Sequence, residues 1–211
     1  MKLRQSSMPE ESYWETLFDP SSILRSLNIG KELRDVVELG CGYGTFSLPV
    51  ATAISGTLST FDIEAAMVER TRARAEELGI TNLRCEQRDF FRDGFDVAAQ
   101  SQDACLLFNI LHCENPIRVL RQAAEVVAKQ GTVLVIHWRH DPTTPRGPSL
   151  DIRPRPEDCI RWARKAGLWL ADNGIVDLPP YHCGLILRKQ QNTDRPSNAE
   201  PSSRSLRWKR S

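Results

Sequence analysis

Two acidic residues and three glycines in the first third of the chain have the spacing of a nucleotide-binding edge. Glu38 ends a short apolar run, and Gly40, Gly42 and Gly44 follow it at alternate positions. A second apolar run ends at Asp62, eighteen residues beyond the last glycine. Glycine lets the backbone adopt positive φ and approach a ligand closely, and a carboxylate at a strand end can accept hydrogen bonds from a ribose. The pattern predicts a nucleoside-containing ligand at the edge of a parallel sheet.

The glycine spacing distinguishes two classes of cofactor. The dinucleotide fingerprint is G-x-G-x-x-G, whereas here the third glycine comes one residue early and Thr45 stands where the last glycine would be. A run of acid-x-G-x-G-x-G that closes a first strand resembles motif I of the class I S-adenosylmethionine (SAM) methyltransferases. The resemblance implies that the turn from Glu38 to Gly44 passes beneath the methionine part of SAM.

The same resemblance implies further cofactor contacts. Asp89 follows the third predicted strand, where the family places an acid against the adenine, although an exposed loop carboxylate would give the same sequence. Asn109 follows the fourth strand, at a position that faces the methionine moiety in the family. Phe61, Ile63 and Phe90 are expected around the ribose and the adenine.

The strands and helices that must position these residues alternate five times between positions 36 and 138. This rhythm predicts an α/β fold, a doubly wound and mostly parallel seven-stranded sheet with helices on both faces. The helix over residues 65–78 repeats apolar or small side chains along one stripe, namely Met67, Thr71, Ala75 and Leu78. The helix that begins at Pro116 is predicted to continue to Gly131, before a fifth strand over residues 132–138.

Two final strands are predicted at residues 168–176 and 181–187. The link between them is too short for a helical crossover, so it permits an antiparallel hairpin. The resembling family ends its sheet in this way, with a reversed last strand beside strand five. The resemblance covers roughly residues 18–188.

The residues expected to contact a methyl acceptor lie at the carboxyl ends of the central strands. His112 and His137 each occupy such an end, where a neutral imidazole could take a proton, although a hydrogen-bonded structural histidine is the alternative. Residues 139–157 contain five prolines and four arginines. Long irregular loops are usually functional or disordered, so we predict that this one forms part of the substrate wall. Arg139, Arg146 and Arg153 could hold a substrate carboxylate or phosphate, or could simply be solvated.

Aromatic residues supply further candidates for the acceptor pocket. Tyr13 and Trp14 could form a lid over SAM and substrate, or could close the core beside the N-terminus. Trp138 and Tyr181 could line the pocket or pack under it.

Composition limits the remaining possibilities. The chain of 211 residues has a net charge of +1, and it is long enough for one self-sufficient domain. Six cysteines are scattered without C-x-x-C or other metal-ligand spacing, so we predict no metal site and a reducing, cytoplasmic location. No apolar stretch approaches eighteen residues. We divide the chain into an N-terminal cap (1–34), the methyltransferase-like domain (35–188) and a basic tail expected to be disordered (189–211).

The leading hypothesis is an enzyme that transfers a methyl group from SAM to a small molecule. The run from Asn109 to His112 resembles the strand-four end of the small ubiquinone/menaquinone-type methyltransferases, whose acceptors are small molecules. The tail Arg204-Ser-Leu-Arg-Trp-Lys-Arg keeps open the alternative of an RNA or protein methyltransferase. A third possibility is a non-catalytic module that only binds SAM. Because the cofactor carries the reactivity, we expect no obligatory catalytic residue.

Overall fold

The computed structural model describes residues 9–189. Seven strands form one sheet in the order β3-β2-β1-β4-β5-β7-β6. Their bounds are β1 (Val36–Leu39), β2 (Leu58–Asp62), β3 (Leu83–Gln87), β4 (Gln102–Phe108), β5 (Val127–Trp138), β6 (Leu168–Leu178) and β7 (His182–Lys189). The first five strands are parallel, and β7 lies antiparallel between β5 and β6. The predicted fold class and the reversed last strand beside strand five are confirmed.

Seven helices accompany the strands in this part of the chain. They are α1 (Glu11–Glu15), α2 (Pro20–Ser26), α3 (Ser47–Ala53), α4 (Ala65–Glu77), α5 (Phe90–Asp93), α6 (Pro116–Val126) and α7 (Pro156–Lys165). Two large apolar clusters contain the inward side chains: one includes residues of α6 and α7, and the other includes residues of α2 and α3. The short β1 is buried along its whole length, which is typical of a central parallel strand. None of the helices described here is long and apolar enough to cross a membrane.

Two predicted details of the helices are wrong. Helix α6 ends at Val126, five residues before Gly131, because residues 127–131 are extended and Val127 pairs with Gln102 of β4. On α4 the buried stripe contains Val68 beside the predicted threonine and alanine, whereas Leu78 is 63% exposed. Leu78 is the C-cap of that helix, at its exposed end.

The register of the parallel strands determines what meets at the carboxyl edge. Leu39 of β1 pairs with Phe61 of β2, and Glu38 pairs with Thr60. The glycine turn after β1 and the residues after β2 therefore leave the sheet side by side. The connections after β4 and β5 leave at the same edge, because Phe108 pairs with Ile136. This edge is where parallel α/β sheets bind their ligands.

Candidate functional site

The turn after β1 adopts a backbone conformation that glycine favours. Gly40, Gly42 and Gly44 have φ values of +81°, +52° and +80°. A Cβ added at Gly40 would lie 3.0 Å from the side chain of Ile110, and one added at Gly44 would lie 3.0 Å from Leu48. Both the conformation and the packing therefore disfavour larger residues, and the turn leaves its backbone open to close approach by a ligand.

Glu38 lies buried beneath this turn, with 2% of its surface exposed. Its Oε2 accepts hydrogen bonds from Ser47 Oγ at 2.5 Å and Thr60 Oγ1 at 2.9 Å. Burial raises the pKa of this carboxyl to about 7, although the two hydrogen bonds act in the opposite direction. In the structure Glu38 joins β1 to β2 and to the start of α3. Its predicted direct contact with the cofactor stays a prediction.

Asp62 meets the glycine turn, as the strand-end argument requires. Its Oδ2 accepts the backbone N–H of Gly42 at 3.0 Å, and its Oδ1 accepts that of Glu64 at 3.1 Å. The next residue, Ile63, is 44% exposed, an unusual position for a large apolar side chain. Phe61 is buried in the core and its ring carries the guanidinium of Arg88 at 5.7 Å. The Asp62 carboxylate and the exposed Ile63 side chain thus lie next to each other beside the turn.

The other predicted cofactor residues occupy the connections after β3 and β4. Asp89 is the N-cap of α5, where its Oδ1 accepts the backbone N–H of Arg92 at 3.2 Å. Phe90 is 2% exposed and packs against Phe91 in the core. Asn109 has a φ of +56°, and its Oδ1 is buried without a hydrogen-bond partner within residues 9–189. A buried acceptor without a donor is costly, so Asn109 has a free bonding capacity that a ligand N–H can fill.

Thr45 is a residue that the sequence reasoning missed. It follows the last glycine of the turn, and its buried Oγ1 has no hydrogen-bond partner among the described residues. In the sequence analysis Thr45 served only to show that the third glycine of the dinucleotide fingerprint is absent. A hydroxyl next to a ligand-binding turn is the signal that could have identified it.

The two candidate bases lie against each other. The rings of His112 and His137 meet edge to face, with 5.6 Å between their centroids. Burial lowers the pKa of His112 to about 4 and that of His137 well below its usual range. Both imidazoles are therefore neutral near pH 7, but a group with a pKa of about 4 is a weak proton acceptor there. The low pKa argues against His112 as a general base, and its place in the wall of an acceptor pocket stays a prediction.

His112 lines a cavity of about 410 Å³ at the carboxyl edge of the sheet. The cavity lies between the connection from β4 to α6 and the end of the loop that leads to α7. Its walls are Leu111, His112, Cys113, Glu114, Asn115, Pro116, Ile117, Asp151, Ile152, Arg153, Pro154 and Trp162. The end of the loop over residues 139–157 thus lines a cavity, and its predicted role as a substrate wall stays a prediction. Trp162 on α7 and Ile117 on α6 were not predicted.

Arg153 has neither of the two roles considered for it, binding of a substrate anion or a solvated side chain. The side chain is buried, and its guanidinium donates to the carbonyl oxygens of Arg139, Asp141, Arg146 and Pro148 and to Thr144 Oγ1. These acceptors take up its five N–H donors. Arg153 therefore holds the loop in shape from inside.

Arg139 is likewise engaged within the chain. Its guanidinium donates to the carbonyl oxygens of His182 at 3.2 Å and Pro180 at 3.0 Å, and it forms an ion pair with Asp177. These contacts join the end of β5 to the turn between β6 and β7. Binding of a substrate anion by Arg139 or Arg146 stays a prediction.

Three of the four predicted aromatic residues, Trp14, Trp138 and Tyr181, pack together beside the end of β5. Trp138 is 2% exposed, and its ring lies 6.3 Å from that of Trp14, 4.2 Å from that of His182 and 6.4 Å from that of Tyr181. Tyr13 is 42% exposed. Trp138 thus packs beneath the N-terminal segment, and its place in or under the acceptor pocket stays a prediction.

The N-terminal segment is also attached to the glycine turn itself. Arg74 of α4 contacts Glu11 at 3.0 Å and Glu15 at 2.7 Å, and it donates to the carbonyl oxygen of Tyr43 at 2.9 Å. The Tyr43 hydroxyl donates to the carbonyl oxygen of Pro9 at 2.9 Å. Helix α1 therefore lies beside the turn that we predict to bind the cofactor.

Comparison with known proteins agrees with this geometry. Residues 36–131 match the family model described as "Methyltransferase domain". This part of the chain is a methyltransferase domain. The match begins at the first residue of β1 and ends within β5, so it contains the glycine turn, Asp62, Asp89 and Asn109. No curated protein matches the chain.

Solved structures show the same fold for the methyltransferase domain. A SAM-dependent methyltransferase from Aquifex aeolicus has a TM-score of 0.73 at 18% identity, covering 84% of this chain and 93% of its own. Another match is the O-methyltransferase NcsB1 from neocarzinostatin biosynthesis, solved with S-adenosyl-L-homocysteine (SAH) and 1,4-dihydroxy-2-naphthoic acid. Its TM-score is 0.66 at 19% identity, and the match covers 82% of this chain and 54% of NcsB1. The [4+2]-cyclase SpnF has a TM-score of 0.68 at 14% identity, and the match covers 88% of this chain and 85% of SpnF. The fold is that of the class I SAM-dependent methyltransferases, but the cyclase shows that the fold alone does not determine the reaction.

Proposed function

We propose that the chain binds SAM along the glycine turn and transfers the methyl group to a small molecule in the adjacent cavity. The observation that carries the proposal is the contact between Asp62 and the turn, in which Gly42 N–H donates to the carboxylate at 3.0 Å. This contact places an acidic acceptor beside a backbone that is open to a ligand. A ribose and a charged amino-acid group need these two features together.

The residues present fit SAM. Asp62 would accept hydrogen bonds from the ribose hydroxyls, and the exposed Ile63 would cover the adenine. The unpartnered Asn109 Oδ1 is an acceptor for an ammonium group, and Thr45 Oγ1 is a second unpartnered group for the amino-acid end. When bound, SAM supplies an electrophilic methyl group on a sulfonium. The contribution of the protein is then to align the acceptor and exclude water.

The cavity beside His112 supports a small acceptor. Its volume of about 410 Å³ lies in the range of small-molecule sites, roughly 300–1,000 Å³. Leu111, Ile117 and Trp162 give it apolar walls, and the neutral His112 offers a hydrogen-bonding group. The bound naphthoic acid of NcsB1 is an acceptor-sized molecule on the same fold. The basic tail behind the RNA alternative lies outside the described residues.

Cofactor binding is tested by thermal unfolding with SAM, SAH or a nicotinamide dinucleotide. We expect SAM and SAH to raise the melting temperature, since a ligand at a hundred times its Kd adds about 2.7 kcal/mol to the free energy of unfolding. Asp62→Ala should weaken this response. Asp172→Ala, an exposed carboxylate on the edge strand β6, is the matched control and should not. Stabilisation by the nicotinamide dinucleotide alone would refute the assignment.

Transfer is tested with methyl-labelled SAM and three acceptor pools, namely small metabolites, RNA and protein extract. Label that enters the small metabolites supports the proposal. Label that enters RNA, and is lost when residues 190–211 are removed, would replace it with the tail-dependent alternative. Cofactor binding without transfer to any pool would favour a non-catalytic module.

A further inference from the structure

Two cysteine thiols lie in contact directly behind the cofactor edge. Cys85 Sγ is 3.7 Å from Cys41 Sγ, and Cys41 Sγ is 3.8 Å from the Oδ2 atom of Asp62. Both cysteines are free, and each is 4% exposed. They are 44 residues apart in sequence and meet because Thr60 pairs with Glu38 on one side and with Cys85 on the other. The thiols and the Asp62 carboxylate form one hydrogen-bonded chain.

We propose that Cys41 and Cys85 are an oxidative modification site, at which a peroxide converts the two thiols into an intramolecular disulfide that disables the cofactor edge. The proposal rests on the proposed SAM site for its consequence, but the formation of the bond does not depend on that site. A disulfide requires two sulfur atoms about 2.0 Å apart, so these must approach by about 1.7 Å.

The two cysteines differ in how freely they can move. Cys85 lies within β3, where its residue pairs with β2 and its carbonyl oxygen accepts Arg72 Nε at 2.8 Å. Cys41 lies between Gly40 and Gly42, whose positive φ values place it in the glycine turn rather than in the sheet. The turn therefore takes up most of the movement when the sulfur atoms approach.

Movement of the turn changes the surroundings of Asp62. The carboxylate contacts Gly42 N–H at 3.0 Å and the Cys41 thiol at 3.8 Å, and both groups belong to the moving segment. Oxidation removes the thiol hydrogen, and displacement of Cys41 carries Gly42 with it. The geometry that places Asp62 beside the open backbone is then lost.

The reaction balances with hydrogen peroxide as the oxidant. The Cys41 sulfur attacks one oxygen, the O–O bond breaks, an S–O bond forms, and the thiol proton leaves with the other oxygen as water. The Cys85 sulfur then attacks the sulfenic sulfur, an S–S bond forms as the S–O bond breaks, and the Cys85 thiol proton leaves with the hydroxyl as a second water. The hydrogen-bonded contact between the two thiols and burial raise the pKa of Cys41, so the thiolate is scarce and the reaction should accelerate as pH rises.

Peptide mapping tests bond formation. The full chain is treated with hydrogen peroxide at pH 7 and pH 9, the remaining thiols are alkylated, and the protein is digested with trypsin. Cleavage after arginine releases Cys41 in residues 35–70 and Cys85 in residues 85–88, each with a single cysteine. We expect a linked pair of these peptides, two hydrogen atoms lighter than their sum, that forms faster at pH 9. Absence of this linked pair at both pH values would overturn the proposal.

The consequence is tested by SAH-induced stabilisation before and after oxidation. In the wild type we expect a loss of most of the melting-temperature shift on oxidation and its recovery with dithiothreitol. Cys85→Ser should retain the shift under peroxide, whereas Cys159→Ser, a buried cysteine on α7, should lose it like the wild type. An unchanged shift in linked wild-type protein would refute the effect on the cofactor edge. If the reduced protein does not respond to SAH, the proposed function fails while the peptide map still tests the disulfide.

Discussion

The buried carboxyl of Glu38 offers a direct test of the electrostatics beneath the glycine turn. The folded chain holds its pKa at about 7, against 4.5 for the free side chain. Between these two values the folded state retains a proton that the unfolded chain has lost. The proton therefore stabilises the folded state at low pH, and this stabilisation is lost as pH rises through 7. Glu38→Gln replaces the titrating group with a neutral one of similar shape, whose oxygen can still accept from Ser47 and Thr60.

The size of the effect follows from the shift. One pKa unit corresponds to about 1.4 kcal/mol, so titration of Glu38 between pH 5 and pH 8 removes about 2 to 3 kcal/mol from the free energy of unfolding. The variant should lack this loss. The buried histidines titrate in the acidic part of the same window with the opposite sign, so the wild-type curve alone understates the contribution of Glu38.

The assay is urea-induced unfolding of both proteins at half-unit steps from pH 5 to pH 8. The difference in free energy of unfolding, variant minus wild type, should rise by about 2 to 3 kcal/mol in favour of the variant over this range. Glu86→Gln, an exposed glutamate on β3, is the matched control and should give a difference that stays flat. Parallel curves for wild type and Glu38→Gln would refute the reasoning.

Two further predictions concern the packing around the site. The ring of His182 stacks on Phe18, and burial lowers the pKa of His182 from 6.5 to about 3. Between these two pH values the unfolded chain binds a proton that the folded chain excludes. The free energy of unfolding therefore falls as pH drops below 6.5. Between pH 7 and pH 5 this titration lowers the free energy of unfolding of the wild type by about 2 kcal/mol, and His182→Phe should remove that loss. Urea unfolding measures it, and equal losses in both proteins would contradict the prediction. Arg153→Met should destabilise the loop over residues 139–155 by at least about 3 kcal/mol, because several charge-assisted hydrogen bonds are lost, and hydrogen exchange of that loop should increase. Arg164→Met, exposed on α7, should leave exchange there unchanged.

The sequence was informative about the fold where local signals and tertiary structure agree. The first strand, Val36–Leu39, is buried on both faces, and it lies where a short apolar run precedes the glycine turn in the sequence. The end of α6 was missed because residues 127–131 suit either a helix or a strand. Their conformation is decided by pairing between Val127 and Gln102, and by Lys189 Nζ donating to the Val127 carbonyl oxygen at 2.6 Å. Such distant partners leave no local pattern.

The sequence predicted which strand ends meet at the candidate site, but few of the contacts that its side chains make. The contact of Asp62 with the turn followed from the rule that parallel strands end at one edge. The role of Arg153 could not follow from sequence, because an arginine in a Pro-rich loop reads as a surface residue until the loop closes around it. The thiol contact of Cys41 with Cys85 depends on the pairing of β2 with β3, which motif spacing does not express.

The internal anchoring of the loop after β5 has a consequence for how acceptor preference can diversify. Because a single guanidinium bonds the carbonyl oxygens of Arg139, Asp141, Arg146 and Pro148, the shape of the loop depends on backbone atoms that every residue type provides. The residues at positions 149–152, between Pro148 and Arg153, contribute none of these acceptors, so their side chains can be exchanged without loss of the anchor. A library randomised at residues 149–152, with Arg153 retained, would therefore sample new cavity walls on a constant frame.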